Sequence, residues 1–268
     1  MKKLFGAVLI SAALAAGFTG CSKKETPAGM TLDGKTLKIG VNIAYPPFEY
    51  YDTDGKTPLG FDVELGKAVA AKLGLEPDII DVAWEGIFAG LDTNKYDCVV
   101  SAVTITDERT AAYDFSKPYI GNGQSMILLK DSKVTAKTPQ ELGGHKVGYL
   151  TESTSDIYMT KLADDGLKFE ADEYDDEMNA FADLKAGRCD AVISDSLVAT
   201  DYVNKPDSPF VLVWEGPAEE YFGIACKKGN TALRDAVNKA LDELTADGTL
   251  ADLSMKNFGI DIVSNIAK

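Results

Sequence analysis

Segments with the pattern of strands alternate with segments that have the pattern of helices along most of this chain. The segment LKIGVNI, which begins at Leu37, is short and apolar, as a buried strand is. The segment GFDVELGKAVAAKLG then places apolar residues at helical spacing from Phe61 to Leu73 and ends at Gly74, a typical stop for a helix. The strand-like segments PDIIDV, DCVVSA, QSMILLK, HKVGYL, DAVISD and FVLVWEG continue the pattern, with helical runs among them. This alternation predicts an α/β fold in which helices cover both faces of parallel sheets.

The charge of the chain restricts the partners that it can bind. The formal net charge of its 268 residues is −15. Nucleic-acid-binding surfaces carry clusters of Lys and Arg that face phosphates, so this charge argues against nucleic acid as a partner. It also argues against adhesion to anionic lipid through a basic face. A strongly acidic chain is soluble and self-repelling, and we expect it to be a monomer.

The N-terminus has the pattern of an export signal. Residues 1–20 contain two lysines, an apolar stretch too short for a comfortable membrane span, and then small residues, which together indicate a secretory signal peptide. The small residues end in FTGC, which resembles a bacterial lipobox and implies cleavage before Cys21 and lipid attachment to its thiol. The alternative is an ordinary signal peptide with an incidental cysteine. Residues 21–34 are polar and lack periodicity, so we expect a lipid-anchored flexible tether on the extracytoplasmic face of the cell membrane.

Few residues in the chain are suited to metal, cofactor or nucleophilic chemistry. Beyond Cys21 the cysteines are Cys98, Cys189 and Cys226, whose spacing fits no zinc motif and which lie in or beside apolar runs. We therefore expect these three cysteines to be buried small side chains. One disulfide among them is the alternative in an exported protein. His145, the one histidine, precedes a strand and is expected at the surface. We expect no metal, no cofactor and no catalytic residue.

The segment DTDG, residues 52–55, is similar to the start of a calcium-binding loop. The ligand position before it is Tyr50, however, and the twelfth position is Phe61 rather than Glu. We therefore predict a hairpin turn at this place.

The segment SAVTITDERT follows an apolar run and carries two hydroxyl side chains, Ser101 and Thr104, before Arg109. An arginine beside two acids is often a solvated helix residue. A guanidinium can instead hold a carboxylate ligand, because its parallel N–H groups match two carboxylate oxygens. The segment alone leaves both interpretations open.

Four blocks of the chain resemble one known family. The blocks LKIGVNIAYPPFEY, GFDVELGKAVAAKLG, WEGIFAGLDTNKYDCVVSAVTITDERTAAYDFSKPYI and ADLKAGRCDAVISD are similar, in order and spacing, to the extracellular solute-binding proteins, family 3, of polar amino-acid ABC transporters. The resemblance covers nearly everything from Leu37 to Gly259. It implies a periplasmic-binding-protein-like α/β fold of type II, in which a two-strand hinge joins two α/β lobes. Lobe one would comprise residues 35–121 and 222–268, and lobe two residues 122–221.

The resemblance also assigns residues to the two charged groups of an amino-acid ligand. Arg109 matches the residue whose parallel N–H groups bind the ligand's α-carboxylate. Thr104 and backbone N–H groups near Ala102 are expected to complete the carboxylate shell. Asp195, which ends DAVISD, matches the acceptor of the α-ammonium, a group that needs a paired carboxylate when buried.

The same resemblance places the ligand's side chain among Asn42, Tyr45, Trp84 and Ser101. Tyr45 and Trp84 match aromatic positions that sandwich an aliphatic or planar group, although core packing is the alternative for each. None of these residues is cationic, so glutamate and aspartate should bind poorly. We expect a basic amino acid such as arginine first and a neutral polar one close behind.

Lobe two is expected to contribute the segment TESTSD, residues 151–156, to the carboxylate shell. Its hydroxyl and N–H groups would lie at a helix N-terminus, which favours an anion. Thr154 is the best match to the family, with Ser153 beside it. Glu152 stands where relatives often have Gly, and it either faces solvent or places an acid at the pocket rim.

These matches imply an extracytoplasmic receptor that captures one polar L-amino acid between two closing lobes and delivers it to an ABC transporter permease. Two other classes remain open. One is a periplasmic dehydratase-like enzyme on the same fold, which would need a positioned general acid. The other is a ligand sensor that acts through a separate signalling partner. A complete clamp for an α-amino acid argues against the enzyme.

Overall fold

Residues 34–264, which the computed structural model describes, contain two five-stranded sheets, and the chain begins with most of the first one. Its first elements are β1 Thr36–Val41, β2 Tyr50–Tyr51, β3 Pro58–Leu59, α1 Phe61–Leu73, β4 Glu76–Asp81, α2 Ile87–Asp92, β5 Cys98–Val99, α3 Asp107–Ala112 and β6 Tyr113–Phe115. The turn at residues 52–55 joins β2 to β3, which pair antiparallel, so the predicted hairpin is confirmed. The predicted signal peptide at 1–20, the lipid site Cys21 and the tether up to residue 33 lie outside the described residues.

The chain then crosses to the second sheet and comes back. The elements of this part are β7 Ile120–Asn122, β8 Gln124–Leu129, β9 Lys146–Leu150, α4 Thr154–Asp164, β10 Glu170–Tyr174, α5 Glu177–Lys185, β11 Ala191–Asp195, α6 Ser196–Asn204, β12 Phe210–Glu215 and β13 Glu220–Phe222. The two crossing strands, β7 and β13, pair antiparallel with each other and belong to neither five-stranded sheet. Two α/β lobes joined by two strands result, as the type II fold requires.

The last part of the chain completes the first lobe. It consists of β14 Ala225–Lys227, α7 Thr231–Ala246 and α8 Thr249–Phe258. The strand β14 enters the first sheet between β5 and β6, and α7 buries Leu233, Val237 and Leu241 at helical spacing. Within residues 34–264, no helix has both the length and the apolar character that a membrane span needs.

Both sheets are mixed, which corrects the prediction of parallel sheets. In the order β4-β1-β5-β14-β6, β1 runs parallel to β4 and β5, whereas β14 is antiparallel to both of its neighbours. In the order β10-β9-β11-β8-β12, β8 is likewise antiparallel to β11 and β12. The exceptions β8 and β14 are the strands that follow a crossing. Each enters its sheet beside the crossing strands, where the parallel strands end, so Gln124 at the start of β8 pairs with Asp195 at the end of β11.

Gly60, immediately before α1, fixes how the segment leading into β2 packs on this helix. Its φ is 115°, and a Cβ at this position would lie 2.2 Å from the carbonyl oxygen of Phe48. Only glycine tolerates both the positive φ and the close approach. The packing brings two acids together inside lobe one, since Glu49 and Asp62 are 1% and 0% exposed and the charge of Asp62 raises the pKa of Glu49.

Candidate functional site

A cavity of about 330 Å³ lies where the parallel strands of both lobes end. Asn42 follows β1, Ser101 follows β5, and Asp195 ends β11. The residues that line this cavity are Asn42, Tyr45, Glu49, Trp84, Ser101, Ala102, Thr104, Arg109, Leu150, Ser153, Thr154 and Asp195. All ten ligand-binding residues predicted from the sequence are among them. The carboxyl ends of strands are where open α/β sheets usually bind ligands.

Arg109 lies in the cavity wall, and both lobes hold its guanidinium. The helix α3 that carries it starts at the N-cap Thr106, whose hydroxyl accepts from the Arg109 N–H at 3.1 Å. Nη1 donates to the Thr104 carbonyl at 3.0 Å, and Nη2 donates across the cleft to the Glu152 carbonyl at 3.2 Å. The rings of Trp84 and Phe88 lie 5.5 and 5.4 Å from its central carbon. Burial lowers the pKa of Arg109, yet a guanidinium stays charged in proteins, so the cavity has a fixed positive charge.

The backbone of Thr104 presents polar groups to the same place. Thr104 forms a bridge with Phe222 in which its neighbours make the hydrogen bonds: Ile105 N–H donates to Tyr221 at 2.8 Å, and Val103 accepts from Gly223 at 3.0 Å. The N–H and C=O of Thr104 therefore face the other way, and its C=O accepts from Arg109. Among the described residues its N–H has no acceptor, so it is available to an anion beside the guanidinium.

The N-terminus of α4 supplies N–H groups from lobe two. Ser153 caps this helix, because its hydroxyl accepts from the Asp156 N–H at 3.3 Å and donates to the Leu150 carbonyl at 2.7 Å. The first N–H groups of the helix, those of Thr154 and Ser155, have no acceptor within residues 34–264. A helix N-terminus with free N–H groups favours a negative charge.

Glu152 precedes this cap and has a φ of 54°, in the left-handed region that favours glycine. Its side chain is exposed and does not line the cavity, but it lines an adjoining groove together with Arg109 and Trp84. Both predicted alternatives therefore describe part of its position. The loop keeps the shape that a glycine would allow, and the backbone carbonyl of Glu152 accepts from Arg109.

Asp195 is the buried acid of lobe two in the cavity. Its carboxylate accepts from the Tyr45 hydroxyl at 2.6 Å, from Asn122 Nδ2 at 2.8 Å and from Gln124 Nε2 at 3.2 Å. Burial, followed by the nearby charge of Glu220, raises the pKa of Asp195 to about 7. A buried carboxylate with neutral donors is stabilised by a cation.

Glu49 is a second acid in the cavity wall, and sequence reasoning missed it. Its Oε1 accepts from the Ser101 hydroxyl at 2.8 Å, while Oε2 is buried and has no partner among the described residues. Burial, followed by the charge of Asp62, raises the pKa of Glu49 well above its ordinary value. The signal that could have found it is an acid inside the otherwise apolar segment AYPPFEY.

Two predicted residues have protein partners that limit what they offer a ligand. The Ala102 N–H donates to Asp62 Oδ2 at 2.5 Å, with Ala102 at a φ of 46°. The Asn42 side chain donates to the Val82 carbonyl at 3.1 Å, and the Asn42 N–H donates to the Ser101 hydroxyl at 3.0 Å. Ala102 and Asn42 therefore shape the cavity. The side-chain oxygen of Asn42, Oδ1, is the part of its amide that can accept from a ligand.

The remaining chemistry-bearing residues lie away from the cavity. His145 is half-exposed, with Nδ1 3.4 Å from Asp190 Oδ2. Cys98, Cys189 and Cys226 are buried free thiols. Over residues 34–264, no cluster of His, Cys, Asp or Glu is arranged to hold a metal ion. Among the lining residues the charged ones are one arginine and two acids, a set suited to a zwitterion and not to metal chemistry.

The fold and the cavity together define a class: a two-lobed binding protein that encloses a small polar ligand in the cleft. The chain belongs to the bacterial extracellular solute-binding proteins, family 3, whose family model matches residues 37–260. It is 38% identical over 227 residues to the L-cystine-binding protein TcyJ of Escherichia coli (strain K12), a match that covers 85% of this chain and 84% of TcyJ.

Solved structures of amino-acid-binding proteins are also similar to this chain. An ancestral arginine-binding protein bound to arginine has a TM-score of 0.80 and 38% identity, covering 84% of this chain and 99% of that one. An ancestral arginine-binding protein bound to glutamine has a TM-score of 0.78 and 38% identity, covering 84% of this chain and 98% of that one. The ancestral amino acid-binding protein AncCDT-1, a precursor of cyclohexadienyl dehydratase, gives 0.75 and 33%, covering 84% and 95%.

Proposed function

We propose that this chain is the extracytoplasmic substrate-binding component of an amino-acid ABC importer. The observation that carries the proposal is one cavity with opposite charges at two places, Arg109 from lobe one and Asp195 from lobe two. A free amino acid has a carboxylate and an ammonium one carbon apart, and it matches this pair.

The α-carboxylate is proposed to bind Arg109 together with the N–H groups of Thr104, Thr154 and Ser155. Parallel N–H donors on a guanidinium match two carboxylate oxygens, and the helix N-terminus adds partial positive charge. The α-ammonium is proposed to bind Asp195, which otherwise has only neutral donors. Because Arg109 and Asp195 lie on different lobes, a bound amino acid favours the closed cleft.

The ligand's side chain is proposed to reach Glu49, between Tyr45 and Trp84. The unpartnered Oε2 of Glu49 suits a donor, and a cation would favour its ionised form. This supports a basic amino acid first, with a neutral polar one close behind, and an acidic side chain is disfavoured. Similar proteins bind amino acids of these kinds: TcyJ binds cystine, and ancestral arginine-binding proteins bind arginine and glutamine.

The site is proposed to bind without turnover. AncCDT-1, a relative on this fold, is a precursor of cyclohexadienyl dehydratase and is itself an amino acid-binding protein. In the cavity, Asp195 has a pKa near 7, but three side-chain donors hold its carboxylate. We further propose delivery to a membrane permease, attachment by lipid at Cys21 after removal of residues 1–20, and a monomeric state.

Calorimetry of protein that has been unfolded, stripped of ligand and refolded tests this function. Each of the common amino acids and cystine is titrated separately. We expect at least one basic or neutral polar amino acid to bind with a Kd of about 1 μM or tighter. Glutamate and aspartate should show no measurable binding. Mass spectrometry of the same mixtures should return the ligand unchanged. Absence of binding by every amino acid, or tight binding of glutamate alone, would contradict the proposal.

A further inference from the structure

Glu220 starts the crossing strand β13, and its carboxylate contacts both lobes. Oε2 accepts from the hydroxyl of Thr154 in lobe two at 2.9 Å and from the hydroxyl of Thr104 in lobe one at 3.3 Å. Oε1 accepts from Gln124 Nε2 at 2.9 Å. One side chain on a crossing strand thus joins three elements, and it does not line the cavity.

These bonds depend on the closed cleft. Thr104 and Thr154 belong to different lobes, so both hydroxyls reach one carboxylate oxygen only when the lobes are together. Since each hydroxyl has one proton and gives it to Glu220, a ligand carboxylate must rely on Arg109 and on backbone N–H groups. Glu220 therefore takes these two hydroxyls away from a ligand carboxylate and holds the walls of the carboxylate site in place.

Glu220 also acts on Asp195 by its charge. Gln124 lies between them, because its Nε2 donates both to Glu220 and, at 3.2 Å, to Asp195 Oδ1. The other groups that face Asp195 are the Tyr45 hydroxyl and the Asn122 amide, with the charges of Arg109 and Glu177 farther out. Among the charged neighbours, Glu220 makes the main contribution that opposes ionisation of Asp195.

We propose that Glu220 is a positioning residue that stabilises the closed cleft and acts by its charge, across Gln124, on the ammonium acceptor Asp195. This inference rests on the proposed function, and it adds a residue that acts through others. Three variants separate its two effects. Glu220→Ala removes bonds and charge, Glu220→Gln removes the charge and keeps the shape, and Glu219→Ala alters an exposed neighbour on the same segment.

The first measurement is the affinity for L-arginine and L-glutamine from pH 5 to 9. Loss of the Glu220 charge lowers the pKa of Asp195, so the pH at which affinity is half lost should move down in Glu220→Gln. A purely structural role would leave that midpoint in place. In Glu220→Ala the ligand should also dissociate faster, by at least about tenfold, the equivalent of one bond to a charged group. Identical midpoints and dissociation rates in all variants overturn the proposal.

The second measurement needs no ligand and separates this proposal from the proposed function. Small-angle scattering of the ligand-free protein should give a larger radius of gyration for Glu220→Ala than for wild type and Glu219→Ala. Equal radii in the three proteins overturn the role in closure, whichever amino acids bind. Circular dichroism verifies the fold, and Glu220→Gln serves if the alanine variant is unstable.

A separate observation concerns two of the buried cysteines. Cys98 on β5 and Cys226 on β14 are directly opposite each other in an antiparallel pair. The Ser116 N–H donates to the Ile224 carbonyl at 2.9 Å, so the backbone polar groups of Ile224 face β6. These groups alternate sides along a strand, and those of Cys226 therefore also face β6. Cys98 and Cys226 are thus a non-hydrogen-bonded pair, a kind of pair in which the Cα atoms are typically about 4.5 Å apart.

That separation lies within the range that a disulfide spans. Both thiols are buried, and burial raises their pKa, so they are unreactive once lobe one has folded. We infer that Cys98 and Cys226 form a cross-strand disulfide when the chain folds outside the cytoplasm. The two thiols lose two protons and two electrons as the S–S bond forms. An external disulfide, such as oxidised glutathione or an exported dithiol oxidase, takes the electrons and becomes two thiols.

Refolding of the full chain with oxidised and reduced glutathione tests this pairing. The product is denatured in acid, alkylated with N-ethylmaleimide and mapped by mass spectrometry. We expect a peptide linked through Cys98 and Cys226, with Cys189, buried but opposite no cysteine, fully alkylated as the internal control. The linked peptide should vanish in Cys98→Ser and persist in Cys189→Ser. Complete alkylation of all three, or a bond to Cys189, overturns the inference.

Discussion

Arg109 and Asp195 face one cavity with opposite charges, and their surroundings differ in kind. Arg109 is held by two backbone carbonyls and flanked by two aromatic rings. Asp195 is held by three neutral side-chain donors and lies close to a second acid. The first arrangement fixes a charge, and the second leaves a charge that responds to pH and to a ligand cation.

Arg109→Ala should abolish measurable amino-acid binding and leave the fold intact. Truncating one partner of a buried charge pair costs about 2–5 kcal/mol, and a micromolar ligand has only about 8 kcal/mol in total. Arg109→Lys should bind poorly as well, because it loses the bidentate geometry. Calorimetry with circular dichroism as the control decides this, and an affinity close to wild type in the alanine variant would remove Arg109 from the site.

The affinity should depend on pH through Asp195. In the free protein burial raises its pKa to about 7, and a ligand ammonium favours the ionised form. Affinity is therefore complete above pH 7 and is lost as pH falls through 7, with proton release on binding in that range. Titrations in buffers of different ionisation enthalpy measure the released proton. A des-amino ligand, which has no ammonium, is the control and should lose no affinity below pH 7; equal losses for both ligands would contradict the assignment.

Glu49→Gln should separate basic from neutral ligands. A hydrogen bond to a charged group contributes about 1.5–3 kcal/mol, so L-arginine should lose about that much affinity. L-glutamine, whose amide bonds to either side chain, should lose less. The ratio of the two dissociation constants, measured for wild type and variant, is the result to compare, and an unchanged ratio would place the ligand's side chain elsewhere.

At the scale of elements, the binding groups lie at strand ends and helix starts. Ser101 and Asp195 follow or end central strands, and Ser153 caps α4 so that its first N–H groups face the cavity. The crossing strand β13 supplies the bridge that turns the Thr104 N–H in the same direction. Local backbone order is therefore part of the binding site.

Ser153→Ala should weaken both the helix and the site. Loss of an N-cap costs about 0.5–2 kcal/mol of stability, and fraying of α4 misplaces the Thr154 and Ser155 N–H groups. Thr160→Ala, an exposed change on the same helix, is the matched control. Thermal unfolding and calorimetry should show both losses in Ser153→Ala alone; affinity equal to the control would mean that the cap does not support the site.

Sequence reasoning found the helices and the apolar strands, because their burial leaves a periodic pattern. It missed β10, the edge strand Glu170–Tyr174, since its sequence EADEY has alternating acids and no apolar run. It also gave the wrong direction to β8, because direction depends on where a crossing strand delivers the chain, and it did not predict the short strand β14. Ten of the twelve residues that line the cavity were found by family resemblance, whereas Glu49 and Leu150 were not. Glu220, which does not line the cavity, was also missed. Glu49 and Glu220 acquire their place through tertiary contacts, beside Ser101 and between the lobes.

At the scale of the whole molecule, two lobes meet around one polar cavity. The contacts that cross the cleft involve the groups proposed to bind ligand: Arg109 with the Glu152 carbonyl, and Tyr45 with Asp195. Ligand binding and closure are therefore linked, because a zwitterion that contacts both lobes stabilises the arrangement in which these groups are close.

The most direct test is a calorimetric comparison of three ligands that differ only in their charged α-groups. For arginine these are L-arginine, agmatine without the carboxylate, and 5-guanidinopentanoic acid without the amine; analogous sets serve if another amino acid binds most tightly. Each missing group leaves a buried charge unpaired, so both analogues should bind at least about 30-fold more weakly. Agmatine or the des-amino acid binding as tightly as the parent amino acid would show that the cavity does not recognise the zwitterion.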